Sequence, residues 1–199
     1  MELYHSPTSP FVRKVMVVLH ETGQKDDVTL RSVTNTPLAP DTGVASQNAL
    51  GKIPALTRPD GPALYDSRVI CRYLNHRASA ALYPEARIWE LLTLEALADG
   101  IMDAQIAMFY ETKFRPEGER SADWIESQWI KVARGLDALE SRWMSHLSGR
   151  LHIGQIATGC AVGYLDLRHA ERNWREGRPA LAAWAERFLA RPAMTATQA

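Results

Sequence analysis

The spacing of hydrophobic residues changes near residue 80 of the chain. Before that point, four short apolar runs predict strands, at residues 1–5, 28–33, 53–56 and 63–65. Two amphipathic segments begin with the start signals of helices, Ser9-Pro10 after the first run and Asp66-Ser67 after the fourth. The order is therefore β-α-β, a connection, and then β-β-α, which predicts an α/β domain over residues 1–78.

Beyond a linker at residues 78–84, the apolar residues recur at the three- and four-residue steps of helices. The segments with these steps cover residues 88–109, 125–143, 153–167 and 180–190. Residues 153–167 are apolar nearly all round, which predicts a helix buried at the centre of a bundle. We therefore expect an all-helical C-terminal domain over residues 86–199.

Composition and charge narrow the class of protein. Lys and Arg total 23, Asp and Glu total 23, and the net charge is zero, whereas proteins that neutralise nucleic-acid phosphates are usually basic. No apolar run reaches the ~20 residues of a membrane span, and the N-terminus lacks the pattern of a signal peptide. We therefore expect a cytoplasmic protein that binds neither nucleic acid nor membrane.

Metal chemistry is not indicated by the sequence. The two cysteines, Cys71 and Cys160, are far apart and lack the spacing of metal ligands. The six histidines include no His-x-x-x-His pair. We expect no metal site, and reduced thiols in both cysteines.

The two predicted helix N-termini are candidates for anion binding. The first N–H groups of a helix lack intrahelical acceptors and carry roughly half a positive charge, which lowers the pKa of a thiol placed there. Ser9 can donate a hydrogen bond to such a sulfur. Ser67 and its helix can hold a carboxylate, while Asp66 can pair with an ammonium. Each of these residues can equally serve as a plain helix cap.

The sequence Ile53-Pro54 opens the third predicted strand. A proline at this position cannot donate to a neighbouring strand, so the edge is available to a bound peptide by strand addition. The sequence alone leaves open whether the Ile53-Pro54 bond is cis or trans.

Taken in order, these motifs resemble the glutathione S-transferase family. The segments SPTSPFVRKV, NALGKIPAL and LYDSRVICRYL resemble its N-terminal domain, and the helical half resembles its C-terminal domain. The closest likeness is to bacterial members with a serine-containing S-P-T-S-P start. The resemblance implies a thioredoxin-like domain that binds glutathione, a helical bundle after it, and a homodimer.

The resemblance also implies an activity, the attack of the glutathione thiolate on a small apolar electrophile, as in detoxification. Ser9 would face the glutathione sulfur, with Thr8 and Ser6 as alternatives because family members differ in register here. The electrophile would lie along the long helix of the C-terminal half. Candidate contacts there, which can also be ordinary packing residues, are Met102, Ile106, Phe109 and Tyr110.

The other glutathione contacts implied by the resemblance come from two further loops. Ile53, before a cis Pro54, would pair through its backbone with the cysteinyl part of glutathione. Asp66 and Ser67 would bind the γ-glutamyl ammonium and carboxylate.

The same scaffold also supports alternative functions. One is a non-catalytic ligand carrier or protein-docking module. Others are a glutathione-dependent isomerase, reductase or dehalogenase. Redox-active relatives place a cysteine where Ser9 stands, so thiol–disulfide exchange by the protein itself is not expected.

The buried C-terminal helix departs from the family pattern at its start. The family has Ser/Thr-x-x-Asp there, whereas this chain has His152 and Gln155. Histidine is a weaker N-cap than serine, although Gln155 can still reach back in a capping box. From the sequence we therefore expect the double substitution His152→Ser and Gln155→Asp to raise the melting temperature.

Overall fold

The computed structural model describes residues 1–199, which form two compact units. The first unit contains residues 1–85 together with residues 192–199, and the second contains residues 86–191. The sequence pattern predicts that the last eight residues belong to the helical domain, whereas they group here with the first unit. One reason is a hydrogen bond of 3.0 Å from Arg13 Nη2 to the carbonyl oxygen of Met194.

The first unit is a four-stranded sheet flanked by helices. Its elements are β1 (Glu2–His5), α1 (Pro10–Glu21), β2 (Thr29–Ser32), α2 (Thr42–Gln47), β3 (Ala55–Arg58), β4 (Gly61–Leu64) and α3 (Ser67–Arg77). The strand order is β2-β1-β3-β4. Strands β1 and β2 are parallel, and the other two pairs are antiparallel. This arrangement confirms the expected thioredoxin-like domain.

The local signals in the sequence account for the first helix. The Ser9 hydroxyl accepts a hydrogen bond from the Val12 amide at 3.3 Å, as an N-cap residue does. Gly23 lies just beyond the helix with φ at +68°, a conformation that glycine adopts without strain. The inward residues of the helix and sheet, such as Val15, Leu3 and Leu56, are completely buried.

The second unit consists of four helices. They are α4 (Ile88–Phe114), α5 (Ala122–Ala138), α6 (Ile153–Arg168) and α7 (Pro179–Leu189). Thirteen residues of α6 are buried, which confirms the helix predicted to lie at the centre of the bundle. The chain then returns to the first unit with the short helix α8 (Pro192–Thr195).

The second helix of this unit ends differently from the sequence expectation. The apolar pattern predicts one helix to residue 143, but α5 ends at Ala138 and a wider π-helical turn follows at Leu139–Trp143. Glu140 in that turn accepts hydrogen bonds from the amides of Ala180 and Leu181 at 3.1 and 2.6 Å. Its carboxylate therefore caps the N-terminus of α7.

Close approach of the helices depends on glycines at two contacts with α4. A methyl group at Gly135 of α5 would lie 2.7 Å from the Ile101 side chain, and one at Gly154 of α6 would lie 2.7 Å from Leu94. Both distances are shorter than van der Waals contact. Only residues without a β-carbon fit these two positions at the present helix spacing.

The start of α6 is held by two buried side chains. The side-chain oxygen of Gln155 accepts a hydrogen bond from the His152 amide at 3.0 Å, and its Nε2 donates to the Leu147 carbonyl at 2.8 Å. His152 donates through Nε2 to the His146 carbonyl at 2.7 Å. Trp184 Nε1 also donates to Leu147 O. Gln155 thus makes the capping-box bond to the His152 amide that the sequence allows, and the His152 ring also joins the helix to the loop before it.

Two further observations concern membrane crossing and metal binding. None of its helices combines the length and the apolar character that crossing a bilayer requires. The structure brings together no group of three or more His, Cys, Asp or Glu side chains that would suit a metal ion.

Candidate functional site

Three loops of the first unit meet at one edge of its sheet. Because β1 and β3 are antiparallel, with Tyr4 opposite Ala55, the end of β1 lies beside the start of β3. Because β3 and β4 are also antiparallel, with Leu56 opposite Leu64, the end of β4 lies there too. The loops that follow β1, precede β3 and follow β4 carry all four residues nominated from the sequence: Ser9, Ile53, Asp66 and Ser67.

Ser9 is half-buried at the N-terminus of α1. Its oxygen accepts from Val12, and a hydroxyl that accepts one hydrogen bond can still donate its own proton to another group. Capping the helix and contacting a sulfur are therefore compatible. The hydroxyls of the two alternatives, Ser6 and Thr8, lie 3.5 Å from each other, and Thr8 is exposed.

Ile53 precedes β3 and is joined to Pro54 by a cis peptide bond. Its side chain packs against a small cluster formed by Tyr4, Val44 and Ala55. Its backbone N–H and C=O make no hydrogen bond within the protein. Such a pair of groups at a strand end can bind an extended peptide by adding it to the sheet.

Asp66 and Ser67 form the start of α3. Asp66 is exposed and acts as the N-cap, because its Oδ1 accepts from the Arg68 amide at 2.9 Å. Its Oδ2 pairs with the Arg68 guanidinium at 3.1 Å. Ser67 is 2% exposed, and its hydroxyl makes no hydrogen bond within the protein. An ammonium bound by Asp66 would therefore share the carboxylate with Arg68, a pairing not predicted from the sequence.

The loop before Ile53 is shaped by two asparagines that sequence reasoning missed. Asn48, which is buried, donates to the Lys52 carbonyl at 2.8 Å and accepts from the Leu50 amide at 3.0 Å. Asn35 donates to the Gly51 carbonyl at 2.9 Å. The signal in the sequence was the spacing of Asn48 and Gly51, since asparagine and glycine are typical of tight turns. These bonds fix the approach of the chain to Ile53.

The residues proposed along the long helix differ in their environment. Met102 is completely buried, so it is a packing residue of the second unit. Tyr110 is 38% exposed, and its ring lies 6.1 Å from that of Phe109 and 5.3 Å from that of Phe114. Burial of part of its side chain raises the pKa of Tyr110. This end of α4 therefore carries an aromatic surface.

Comparisons with known proteins agree on one family. The model of the glutathione S-transferase N-terminal domain matches residues 8–77, and that of the C-terminal domain matches residues 122–187. The uncharacterized GST-like protein YibF of Escherichia coli strain K12 is 35% identical over 203 residues, which cover 100% of this chain and 98% of YibF.

Solved structures of relatives agree as well. A glutathione transferase family member from Pseudomonas fluorescens Pf-5, with bound glutathione, is 44% identical with a TM-score of 0.95, over 99% of this chain and 98% of that one. A second structure from that organism, with bound S-(propanoic acid)-glutathione, is 43% identical with a TM-score of 0.92, over 100% and 98% of the two chains. On these matches, the chain belongs to the glutathione S-transferase family.

Proposed function

We propose that the protein is a glutathione transferase that joins the glutathione sulfur to a small electrophile. The observation that carries the proposal is the convergence of Ser9, Ile53 and the start of α3 at one edge of the sheet. Two structures of a family member from Pseudomonas fluorescens Pf-5, 44% and 43% identical to this chain, contain glutathione and S-(propanoic acid)-glutathione, which supports the same ligand here.

The proposed chemistry depends on keeping the sulfur ionised. The N-terminus of α1 supplies unpaired N–H groups and a partial positive charge, which favour a thiolate over a thiol. Ser9 donates its hydroxyl proton to that thiolate and does not itself ionise. The thiolate then forms a bond to the electrophilic carbon, while the leaving group departs with its electron pair or, in an addition, the adjacent carbon takes up a proton.

The rest of glutathione is proposed to bind through backbone and cap groups. The free N–H and C=O of Ile53 pair with the cysteinyl residue as a neighbouring strand would. The Ser67 hydroxyl and the first amides of α3 bind the γ-glutamyl carboxylate. Asp66 binds the ammonium and shares its carboxylate with Arg68. These contacts hold the sulfur in place, which is itself a source of rate acceleration.

The proposal is tested by an ultraviolet titration of the thiolate in bound glutathione. The thiolate band is expected at a pH below the pKa of free glutathione. Ser9→Gly removes the hydroxyl with little loss of helix capping, so it should raise the pKa of the bound thiol by about one unit or more, because a hydrogen bond to a charged group contributes about 1.5–3 kcal/mol. The affinity for glutathione should change little.

The matched controls are Thr8→Val and Ser6→Ala, which remove the alternative hydroxyls. If one of these raises the pKa of the thiol and Ser9→Gly does not, the assignment to Ser9 is wrong. If no thiolate band forms in the wild-type protein, the carrier or docking alternative replaces the transferase. Both cysteines are buried in α3 and α6, which favours a transferase over an enzyme that exchanges disulfides through its own thiol.

The oligomeric state and location are also part of the proposal. Members of the family are typically cytoplasmic homodimers, and we propose the same for this protein. Light scattering on the eluate of a gel-filtration column tests this, since a dimer should have twice the 22.3 kDa of one chain. A mass of one chain at micromolar concentration would contradict it.

A further inference from the structure

The start of α1 offers few backbone donors to a bound anion. Pro10, the first residue of the helix, has no N–H. The amides of Val12 and Arg13 donate to the hydroxyl and the carbonyl of Ser9, at 3.3 and 2.9 Å. Phe11 therefore supplies the amide of the first turn that has no acceptor within the protein. The positive potential here depends more strongly on nearby formal charges than at a helix start with several free amides.

Arg13 places such a charge on the same face of the helix as Ser9. It follows Ser9 by four residues, about one helical turn, and residues at this spacing lie above one another. Side chains on a helix tilt toward its N-terminus, so the Arg13 side chain tilts back toward the turn that Ser9 begins.

No carboxylate neutralises the charge of Arg13. Its guanidinium takes part in none of the ion pairs of the first unit, and it donates instead through Nη2 to the Met194 carbonyl. The helix α8, which holds that carbonyl, contains no charged residue. Four other arginines of the first unit have an acidic partner at 3.7 Å or closer: Arg31 with Glu2, Arg58 with Asp60, Arg68 with Asp66 and Arg77 with Asp27.

The guanidinium of Arg13 is held in a partly dry position by the C-terminal residues. Its bond to the Met194 carbonyl is 3.0 Å long, and its Nε is buried with no hydrogen-bond partner. Met194 is completely buried, and its carbonyl also accepts from the Thr197 hydroxyl at 3.3 Å. A partly buried charge is screened less by salt than an exposed one, so the charge of Arg13 acts over a longer distance.

Other titratable groups at this edge of the sheet do not oppose the charge of Arg13. Asp66 and Arg68 at the start of α3 pair with each other at 3.1 Å. His5 ends β1, and its pKa is lowered by burial and by the charge of Lys25, so it is neutral at neutral pH. Lys14, next to Arg13, is completely buried and has interactions of its own.

We propose that the guanidinium of Arg13 stabilises the glutathione thiolate through its positive charge, without contacting the sulfur. The inference rests on the proposed transferase function and adds a residue to the proposed site. The interaction of two charges falls only with the first power of distance, so a guanidinium about one helical turn from the anion still acts on it. Ser9 remains the group that donates to the sulfur, and Arg13 makes the same anion easier to form.

The experiment measures the pKa of the thiol in bound glutathione by ultraviolet titration, for the wild-type protein, Arg13→Gln and Arg13→Lys. Glutamine lacks the charge but keeps a side-chain N–H that can donate to the Met194 carbonyl. Lysine keeps the charge. Arg13→Gln should raise the pKa by about 0.5–1 unit, as the loss of one charge at roughly 10 Å near a protein surface predicts. Arg13→Lys should stay within about 0.3 unit of the wild type.

Salt provides a second readout, which a merely structural role of Arg13 would not change. Raising the salt concentration from about 0.01 M to about 1 M shortens the Debye length from about 30 Å to about 3 Å. The pKa of the bound thiol, relative to that of free glutathione at the same salt concentration, should therefore rise in the wild type. The difference between the wild type and Arg13→Gln should shrink. The first of these results needs no variant, so it does not depend on how well a variant folds.

Arg58→Gln is the matched control. Arg58 also donates to a backbone carbonyl, that of Pro62 at 3.1 Å, but it ends β3, whereas the candidate site lies where β3 begins. The substitution removes one positive charge from the same unit at the opposite edge of the sheet. It should leave the pKa of the bound thiol within about 0.2 unit of the wild type.

The outcomes separate this inference from the function on which it rests. If the thiolate band forms but Arg13→Gln leaves the pKa of the thiol unchanged, or Arg13→Lys raises it equally, Arg13 only joins α1 to the C-terminal residues and the inference is wrong. A pKa that does not respond to salt in the wild type, or an equal rise in Arg58→Gln, also overturns it. If no thiolate band forms in the wild type, the proposed transferase function fails and the inference falls with it.

Discussion

Replacing His152 and Gln155 at the start of α6 tests the contacts that these two side chains make with the loop before the helix. The sequence alone predicts that His152→Ser with Gln155→Asp raises the melting temperature, since serine is the better cap. In the structure, the imidazole of His152 and the amide of Gln155 are both buried and hydrogen-bonded to the loop before the helix. We therefore expect the opposite sign.

The magnitude follows from the individual contacts. The bonds from His152 to the His146 carbonyl and from Gln155 to the Leu147 carbonyl contribute about 1 kcal/mol each. Removing the buried ring costs roughly 1–2 kcal/mol more. A serine cap returns about 1 kcal/mol. The net loss is about 2–3 kcal/mol, and the aspartate adds to it by turning a carboxylate oxygen toward the Leu147 carbonyl.

Thermal unfolding followed by circular dichroism measures this effect. A chain of this size loses about 2–4 °C per kcal/mol, so the Tm should fall by roughly 5–10 °C. Ser121→Ala calibrates an ordinary cap, because the Ser121 hydroxyl accepts only the Trp124 amide at an exposed helix start, and it should cost about 1 kcal/mol. An unchanged or higher Tm in the double variant would refute the assignment of His152 and Gln155 to the loop.

Two further predictions concern helix spacing and pH. In urea unfolding, Gly135→Ala should lower the free energy of unfolding by about 1–3 kcal/mol, because the added methyl group clashes with Ile101. Gly100→Ala should raise it by about 0.5–1 kcal/mol, because a methyl group there meets no atom within 4 Å. A gain at both positions would contradict the close helix contact. Burial lowers the pKa of His152 and His169 from the usual 6.5. As the pH falls below 6.5, the unfolded chain therefore binds more protons at these positions than the folded chain does. The stability that these neutral histidines preserve above pH 6.5 is lost as the pH falls. A variant with glutamine at both positions should lose Tm less steeply in acid, and an equal slope would show that other groups dominate.

Much of the fold could be predicted from the sequence, because the signals were local. Ser9-Pro10 and Gly23 fix the ends of α1 through cap and backbone preferences that act within a few residues. Strand bounds were less accurate: β3 begins at Ala55, two residues after Ile53. Pro54 has no N–H to contribute to a sheet, so the pairing begins after it.

The candidate site could be predicted only in part. The placement of Ser9, Ile53 and Asp66 in three loops followed from family-like motifs, whereas their meeting at one edge depends on the strand order.

The return of the chain to the first unit has a consequence for dissecting the protein into fragments. Residues 86–191 are one continuous stretch, so a single start and stop codon suffice to produce them alone. The first unit is assembled from two stretches, and a fragment ending at residue 85 lacks the Met194 carbonyl that accepts from Arg13. A fragment that keeps the whole first unit is therefore better made by connecting residue 85 to residue 192 through a flexible linker than by truncation.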